Sequence, residues 1–162
     1  MNREIKFRIW ADNKFYNKCL VGNTNNTNDE KWTCPMVWLE KQKEWVHCDN
    51  GIICQYTGLH DENGKEIYEG DIIEFSYDEF TGNFDTKVAK GTIEFTSGGA
   101  FCIKPFEIEG RKVKDTYNEE WFLLYTVNTD TLEVIGNIYD NPELLGGEEN
   151  GDKKLHNNNK CE

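Results

Sequence analysis

The chain has 162 residues, 37% hydrophobic and 13% aromatic, so it is long enough to bury a hydrophobic core without disulfides or metals. Its formal net charge of −12 argues against binding to nucleic acid or an anionic membrane, because phosphate groups are bound by clustered lysines and arginines. The N-terminal residues MNREIKFRIW lack the apolar segment of a signal peptide, and no apolar run approaches the about 20 residues of a membrane span. We therefore expect a cytoplasmic protein with reduced cysteines.

The first third of the chain predicts short strands. IKFRIW alternates between apolar and polar faces, ADNK predicts a turn, and KFYNKCL predicts the partner strand of a hairpin. The polar stretch GNTNNTNDE, residues 22–30, predicts a surface loop. Residues 32–48 fit either a helix or two strands joined by EKQKE. We favour strands, although Pro35 argues against a central strand before it.

The rest of the chain continues with strands at IICQYTG, DIIEFSY, KVAKGTIEF, AFCIKPF, WFLLYTV and LEVIGNIY. Asn63 and Gly64 predict a type I′ hairpin turn, TSGG predicts a second tight turn, and DEFTGNFD predicts an acidic loop. NPELL predicts one helical turn with Asn141 as its N-cap, and the polar tail after Leu145 is expected to be disordered.

These elements predict a mainly β fold with little helix. Residues 1–60 are expected to form a small N-terminal β-sheet part. Residues 61–145 are expected to form a small SH3-like β-barrel that ends in the short helical turn, and residues 146–162 form the disordered tail.

Acidic residues are concentrated in one segment. Residues 61–86 hold nine Asp or Glu against one base, Lys65, so this segment carries −8 of the net −12. Such a run is typical of a solvated, solubilising face. Alternatively it is an acidic surface directed at a basic partner, for which we predict five protein-binding residues: Glu69, Glu74, Asp78, Glu79 and Asp85.

Within that segment, solvent exposure is enough to explain Glu66, Glu69, Asp71 and Glu74. Gly70 is expected to adopt a backbone conformation that other residues avoid, and Asp71 to accept hydrogen bonds from local backbone amides where a strand begins.

No constellation for catalysis or metal binding stands out. The chain has no CxxC pair for zinc and no GxSxG elbow, so we predict no catalytic residues, no metal and no cofactor, with the cysteines packed as small core residues. For a small ligand, the candidates are Arg8, Trp10 and Tyr56, because an Arg beside an aromatic ring can stack a base. The alternative is that Arg8 covers an aromatic ring of the protein itself.

Three stretches together resemble the YopX family of small phage and prophage proteins: REIKFRIWADNKFY, QYTGLHDENGKEIYEGDIIEF and EVIGNIYDNPELL. They follow the order and roughly the spacing of that family and bracket residues 3–145. One departure is that Asp12 follows Ala11, whereas the family more often has Asp directly after the Trp. The resemblance implies a mainly β fold with a barrel-like part after YEGDII, and an origin in phages of low-GC Gram-positive bacteria. It carries over no catalytic residue set.

The leading functional hypothesis is a non-enzymatic phage protein, cytoplasmic in the infected bacterial cell, that inhibits a host defence component by direct binding. A CRISPR–Cas effector is one such partner, because its basic nucleic-acid-binding surface suits a nucleic-acid-mimicking acidic face. Exposed strand edges also make homo-oligomers plausible. The alternatives are sequestration of a nucleotide signal used in host immunity, and a nuclease or phosphodiesterase that uses clustered carboxylates and Mg²⁺.

Overall fold

The protein consists of two compact units that meet in the chain between Gln55 and Tyr56, within one strand and five residues before the predicted boundary. The computed structural model describes residues 4–25, 31–80, 84–113, 122–124 and 127–145. We call the part up to Gln55 the N-terminal unit and the part from Tyr56 the C-terminal unit. Both are built from antiparallel strands, and the C-terminal unit also has short 3-10 turns, which confirms the mainly β class.

The first sheet of the N-terminal unit is centred on β1 (Phe7–Ala11), which pairs with β2 (Lys14–Tyr16) and with the first half of β6 (Ile52–His60). Asp12 and Asn13 join β1 to β2 with φ angles of 52° and 57°. Two central residues with positive φ match the right-handed twist of the flanking strands, as in a type I′ turn. The predicted turn at ADNK is therefore confirmed.

The second sheet of the N-terminal unit contains β3 (Cys19–Asn25), β4 (Lys31–Leu39) and β5 (Glu44–His47), with β4 in the middle. The strand interpretation of residues 32–48 is confirmed. The loop predicted at residues 22–30 is wrong for its first four residues, because residues 22–25 pair in register with residues 31–34 of β4. Residues 26–30 lie outside the described part.

In the described sheet, residues 31–34 of β4 pair with β3 but not with β5, so no central strand precedes Pro35, as the sequence indicates. The carbonyl oxygen of Pro35 accepts a hydrogen bond from Cys48 N at 3.0 Å, on the side that faces β5. The β4–β5 pairing ends at Met36 and His47, so the N–H that proline lacks falls just beyond the end of the ladder. Ile9 and Val37, from the two sheets of this unit, lie together in its core and are fully buried.

The strands of the C-terminal unit are β7 (Glu66–Tyr68), β8 (Asp71–Phe80), β9 (Phe84–Phe95), β10 (Phe101–Ile108), β11 (Arg111–Lys112), β12 (Phe122–Leu123) and β13 (Glu133–Asn137). They form a curled antiparallel sheet in the order β11-β10-β9-β8-β13, with β12 also paired to β10. The short strand β7 pairs with the second half of β6.

One face of this sheet forms the core of the C-terminal unit. Ile73 and Phe75 of β8 lie on it, as predicted, and pack with Ile93 of β9 and Ile103 of β10. Each fully buried side chain of this size contributes about 1.5–3 kcal/mol relative to leaving it in water. Because side chains alternate along a strand, Glu74, Lys90 and Thr92 point to the opposite face, which we call the outer face.

The hairpin of β8 and β9 extends beyond the rest of the sheet. Residues 77–80 pair with residues 84–87, whereas β13 reaches only Glu74 and β10 only Ala89. We call these eight residues the two-stranded arm. The acidic loop predicted at DEFTGNFD is therefore wrong at both ends, where strand pairing continues, and residues 81–83 lie outside the described part.

The loop between β6 and β7 is not the predicted type I′ turn. Gly64 has a φ of +78°, but Asn63 does not have a positive φ. Asp61 O accepts from Gly64 N at 3.0 Å, and Asp61 N donates to Lys65 O at 2.9 Å, which is the pattern of a type I turn followed by a glycine bulge. The same pair of bonds recurs in the hairpin loop Thr96–Ala100.

Two short 3-10 turns lie near the C-terminal end of the described chain. One covers Thr129–Thr131, and a second covers Pro142–Leu145, where NPELL predicted a helical turn. The predicted disordered tail lies outside the described residues. No helix in the described part has the length and hydropathy that a transmembrane segment requires.

Candidate functional site

Arg8 and Trp10 lie on one face of β1, as predicted, but that face is covered. The Arg8 guanidinium carbon is 4.0 Å from the centroid of the Phe15 ring, and Trp10 meets the same ring edge-on at 4.9 Å. Only 9% of Arg8 and 8% of Trp10 are exposed. This arrangement matches the alternative interpretation, in which Arg8 covers an aromatic ring of the protein itself.

Tyr56 belongs to the C-terminal unit and is also buried. Its ring lies 5.4 Å from the Tyr68 ring, and its hydroxyl is 3.2 Å from His60 Nδ1. Binding of a ligand to the faces of Arg8, Trp10 or Tyr56 would therefore require these packed rings to separate. The prediction that the three residues bind a ligand remains untested.

Four of the five predicted protein-binding acids have described side chains, and these four are spread over both faces of β8 and β9 and the turn before β8; the side chain of Glu79 lies outside the described part. Glu74 and Asp78 lie two pleats apart on the outer face of β8. Asp85 lies on the two-stranded arm, paired in register with Glu79 and bridged to Lys87 at 2.8 Å. Glu69 lies in the turn before β8. Because side chains alternate along a strand, acids that are close in the sequence lie on different faces of the sheet.

Two acids of the 61–86 segment point into the protein. Asp71 is 1% exposed and accepts from Tyr68 N at 2.8 Å, which confirms the local hydrogen bond predicted for it and corrects its expected exposure. Asp61 is 7% exposed and accepts from three backbone amides, those of Asn63, Lys65 and Val134, at 2.8–3.1 Å. Burial acts to raise the pKa of Asp61, but these hydrogen bonds outweigh it and hold the pKa below its ordinary value.

Four other carboxylates line one depression of about 280 Å³ in the C-terminal unit, which we call the acidic depression: Glu62, Glu74, Asp130 and Glu133. Only Glu74 was among the predicted binding residues. Glu133 and Glu74 are direct cross-strand partners on β13 and β8, so their side chains share one face. Strands β8 and β13 bring Glu74 and Glu133 together, whereas Glu62 comes from the loop between β6 and β7 and Asp130 from a 3-10 turn, and no spacing in the sequence signals this.

One lysine partly compensates this charge. Lys90, the cross-strand partner of Glu74, lies 3.9 Å from Glu74 and 2.9 Å from Glu107. The hydrogen bond from Lys90 to Glu107 raises the lysine pKa against the opposing effect of burial, and the charges of Glu107 and Glu74 add to it. Because the closer partner is Glu107, the Glu74–Glu133 pair keeps a net negative charge.

A larger groove of about 530 Å³ lies at the other end of the outer face. Thr92, Glu94 and Lys104 line it from β9 and β10, and the Thr92 hydroxyl donates to Glu94 at 3.3 Å. The aromatic residues Phe106 and Tyr139 also line it.

Gly70 connects two of the stretches that resemble the YopX family. Gly70 N donates to Ile93 O, and Gly70 O accepts from Ile138 N, each at 2.9 Å. Its φ is +81°, and a Cβ atom placed there would lie 3.1 Å from Tyr139 Cε2. The segments YEGDII and GNIYDNPELL therefore meet along one wall of the groove.

The outer side of the second N-terminal sheet carries an aromatic pair. Trp38 and Trp45 are cross-strand partners whose rings meet edge-to-face at 5.4 Å. The Lys18 ammonium lies 3.8 Å from the Trp38 centroid and 4.0 Å from Glu40. The Lys18 ammonium therefore already makes a stabilising cation–π contact with these rings.

The cysteines differ from one another. Cys19 donates its thiol to Phe7 O at 3.2 Å, and burial raises its pKa, which disfavours the nucleophilic thiolate. Cys48 is disulfide-bonded, so the expectation of reduced cysteines is wrong at this position. In the part of the chain that the structure describes, no group of three or more His, Cys, Asp or Glu side chains is arranged to hold a metal ion.

Comparison with known proteins gives one family match. The model of the family described as YopX protein matches residues 6–146. A solved structure, the crystal structure of protein EF1440 from Enterococcus faecalis, is similar at 21% identity with a TM-score of 0.48, covering 89% of this chain and 99% of that one. No curated protein matches the chain.

Proposed function

Since the chain belongs to the YopX family, we propose that it is a non-enzymatic phage protein that inhibits a host defence component by binding a basic surface on it. A CRISPR–Cas effector, which binds nucleic acid through such a surface, is the partner that best suits this chemistry. The acidic depression, rather than the five acids predicted from sequence, is the proposed contact.

The observation that carries the proposal is the direct pairing of Glu133 with Glu74. Like charges placed opposite each other in a sheet destabilise it, and Lys90, which lies 3.9 Å from Glu74, is closer to Glu107, at 2.9 Å. Glu62 and Asp130 add two further exposed carboxylates to the same depression. A protein that keeps negative charges close together although they lower its stability typically uses them to bind a partner.

Electrostatic contacts of this kind mainly raise the association rate and select the partner. Basic side chains of a partner would neutralise the Glu74–Glu133 repulsion on binding. The proposed complex therefore gains stability both from new ion pairs and from relief of an unfavourable contact within the free protein.

The test is co-purification with a panel of CRISPR–Cas effectors, followed by affinity measurement on two charge-matched double variants. Glu62→Gln with Glu133→Gln removes two charges from the acidic depression. Glu44→Gln with Asp49→Asn removes two charges from exposed positions of the N-terminal unit. We expect the first variant to weaken binding and inhibition by about 10-fold and the second by less than about 2-fold. Equal effects would contradict the acidic depression as the contact, and no binding across the panel would contradict this choice of partner.

Sequestration of a nucleotide signal and metal-dependent hydrolysis of phosphodiesters stay as weaker proposals. The proposal of nucleotide sequestration was based on Arg8 and Trp10, whose faces pack against Phe15. The second requires carboxylates arranged around Mg²⁺. Retained-nucleotide analysis and metal-dependent turnover assays on the purified protein test them directly.

A further inference from the structure

The groove on the outer face is a second binding feature next to the acidic depression. Lys90, Thr92 and Glu94 of β9 point to the same face because they are two residues apart. Lys90 is the cross-strand partner of Glu74, whereas Thr92 and Glu94 line the groove. Two residues along a strand span about 7 Å, so the groove begins one side-chain row from the acidic depression.

The lining of the groove combines apolar and acidic groups. Phe106, Tyr139 and Leu145 give it apolar surface. Among the described residues that line it, Glu69 and Glu94 supply two carboxylates and Lys104 supplies an ammonium group. A volume of about 530 Å³ is enough for one large side chain with its flanking backbone.

The charges decide between two classes of occupant. A nucleotide would bring its phosphates towards Glu69 and Glu94, with one lysine to offset them. A peptide segment with basic residues around a large apolar side chain suits both features, since its cations meet the carboxylates and its apolar side chain meets the rings.

We propose that the groove anchors one large apolar side chain, aromatic or aliphatic, from a basic segment of a partner protein, while the flanking basic residues lie over the acidic depression. This inference rests on the proposed function and specifies the chemistry of the partner. The acidic depression steers and selects the segment, and the groove slows its release, because a buried apolar anchor acts mainly on dissociation.

The test uses three labelled synthetic peptides and fluorescence anisotropy. The first has lysines around a central phenylalanine, the second replaces that phenylalanine by alanine, and the third keeps it but replaces the lysines by glutamine. We expect the first peptide to bind about 10-fold more tightly than the second, which is the effect of burying one aromatic side chain. The third is expected to bind more weakly than either.

Two groove variants and a control locate the effect. Phe106→Ala and Leu145→Ser are expected to reduce the ratio between the first two peptides to near 1. Leu123→Ser removes a partly exposed side chain of the same unit outside the groove and is expected to keep the ratio. Thermal unfolding of each variant shows whether it is folded. Because Leu145 ends a short surface turn, the Leu145→Ser variant keeps the test decisive if Phe106→Ala unfolds.

The outcomes separate this inference from the proposed function. Equal, salt-sensitive binding of both lysine peptides would overturn the groove as an anchor and leave the acidic-depression proposal intact. If only the glutamine peptide bound tightly, the partner would not need basic residues, and both proposals would be contradicted. Displacement of the first peptide by adenosine monophosphate would overturn the peptide in favour of a nucleotide.

Discussion

Asp61 shows how one buried carboxylate fixes two parts of the chain. Oδ1 of Asp61 accepts from the amides of Asn63 and Lys65 within its own loop, whereas Oδ2 accepts from Val134, which is distant in sequence. An asparagine keeps one acceptor oxygen but replaces the other by an NH₂ group that faces a backbone N–H. The substitution therefore leaves a buried donor without an acceptor.

We expect Asp61→Asn to lower the free energy of unfolding at neutral pH by about 2 kcal/mol, the typical value for hydrogen bonds to a charged group. Glu62→Gln, at the exposed neighbouring position, is the matched control and should change it by less than about 0.5 kcal/mol. Urea unfolding measures both, and equal effects would mean that the carboxylate of Asp61 is not structural.

The pH dependence of this difference has a definite sign. The pKa of Asp61 is lower in the folded protein than in the unfolded chain, so the folded state favours the charged form. Its contribution is therefore complete above the unfolded pKa and is lost as the pH falls through the folded pKa. The gap between wild type and Asp61→Asn should be largest at neutral pH and shrink in acid, and a gap that widens in acid would contradict this account.

Gly70 and Gly64 allow the cost of a crowded contact to be separated from the cost of backbone conformation. Their φ angles are +81° and +78°, so an alanine at either carries about the same strain, roughly 1 kcal/mol. Nothing lies within 4 Å of a Cβ at Gly64, whereas Tyr139 lies 3.1 Å from one at Gly70. We expect Gly70→Ala to be the more destabilising in thermal unfolding, and an equal loss would show that Tyr139 moves aside freely.

At the scale of secondary-structure elements, the Glu74–Glu133 pair couples stability to the proposed binding. Glu133→Gln should raise the free energy of unfolding by about 0.5 kcal/mol, because it removes a like-charge pair between β8 and β13. The gain should disappear when Glu74 is already glutamine, which a double-mutant cycle measures. A gain that persists in the Glu74→Gln background would assign it to some other contact of Glu133.

The strands and most hairpins were predictable because alternation and turn residues are local signals. The alternation at Ile73 and Phe75 and the turn at ADNK are examples. Positions set by pairing were not predictable. β4 accommodates Pro35 because the pairing with β5 ends beside it, and strand alternation places Asp85 on the face opposite to Glu74 and Asp78, although the sequence groups the three. The burial of Asp61 depends on Val134, a partner that no local pattern indicates.

At the scale of the whole molecule, the net charge of −12 governs the rate at which a basic partner is met. We expect the association rate with such a partner to fall at least about 10-fold between 0.05 M and 0.5 M salt, since the Debye length shortens well below the size of the protein. Stopped-flow measurement at several salt concentrations checks this. A rate that is independent of salt would indicate a contact without long-range electrostatic attraction.

The two-stranded arm gives some of the acidic residues a role that needs no partner. In the described sheet the pairings of β10 and β13 end before the arm, so residues 77–80 and 84–87 form edge strands there. Edge strands are templates for aggregation, and charged side chains such as those of Asp78, Asp85 and Lys87 oppose the addition of other chains. The acidity of this segment therefore also protects the solubility of the protein, and neutralising the arm would expose it to sheet-to-sheet precipitation.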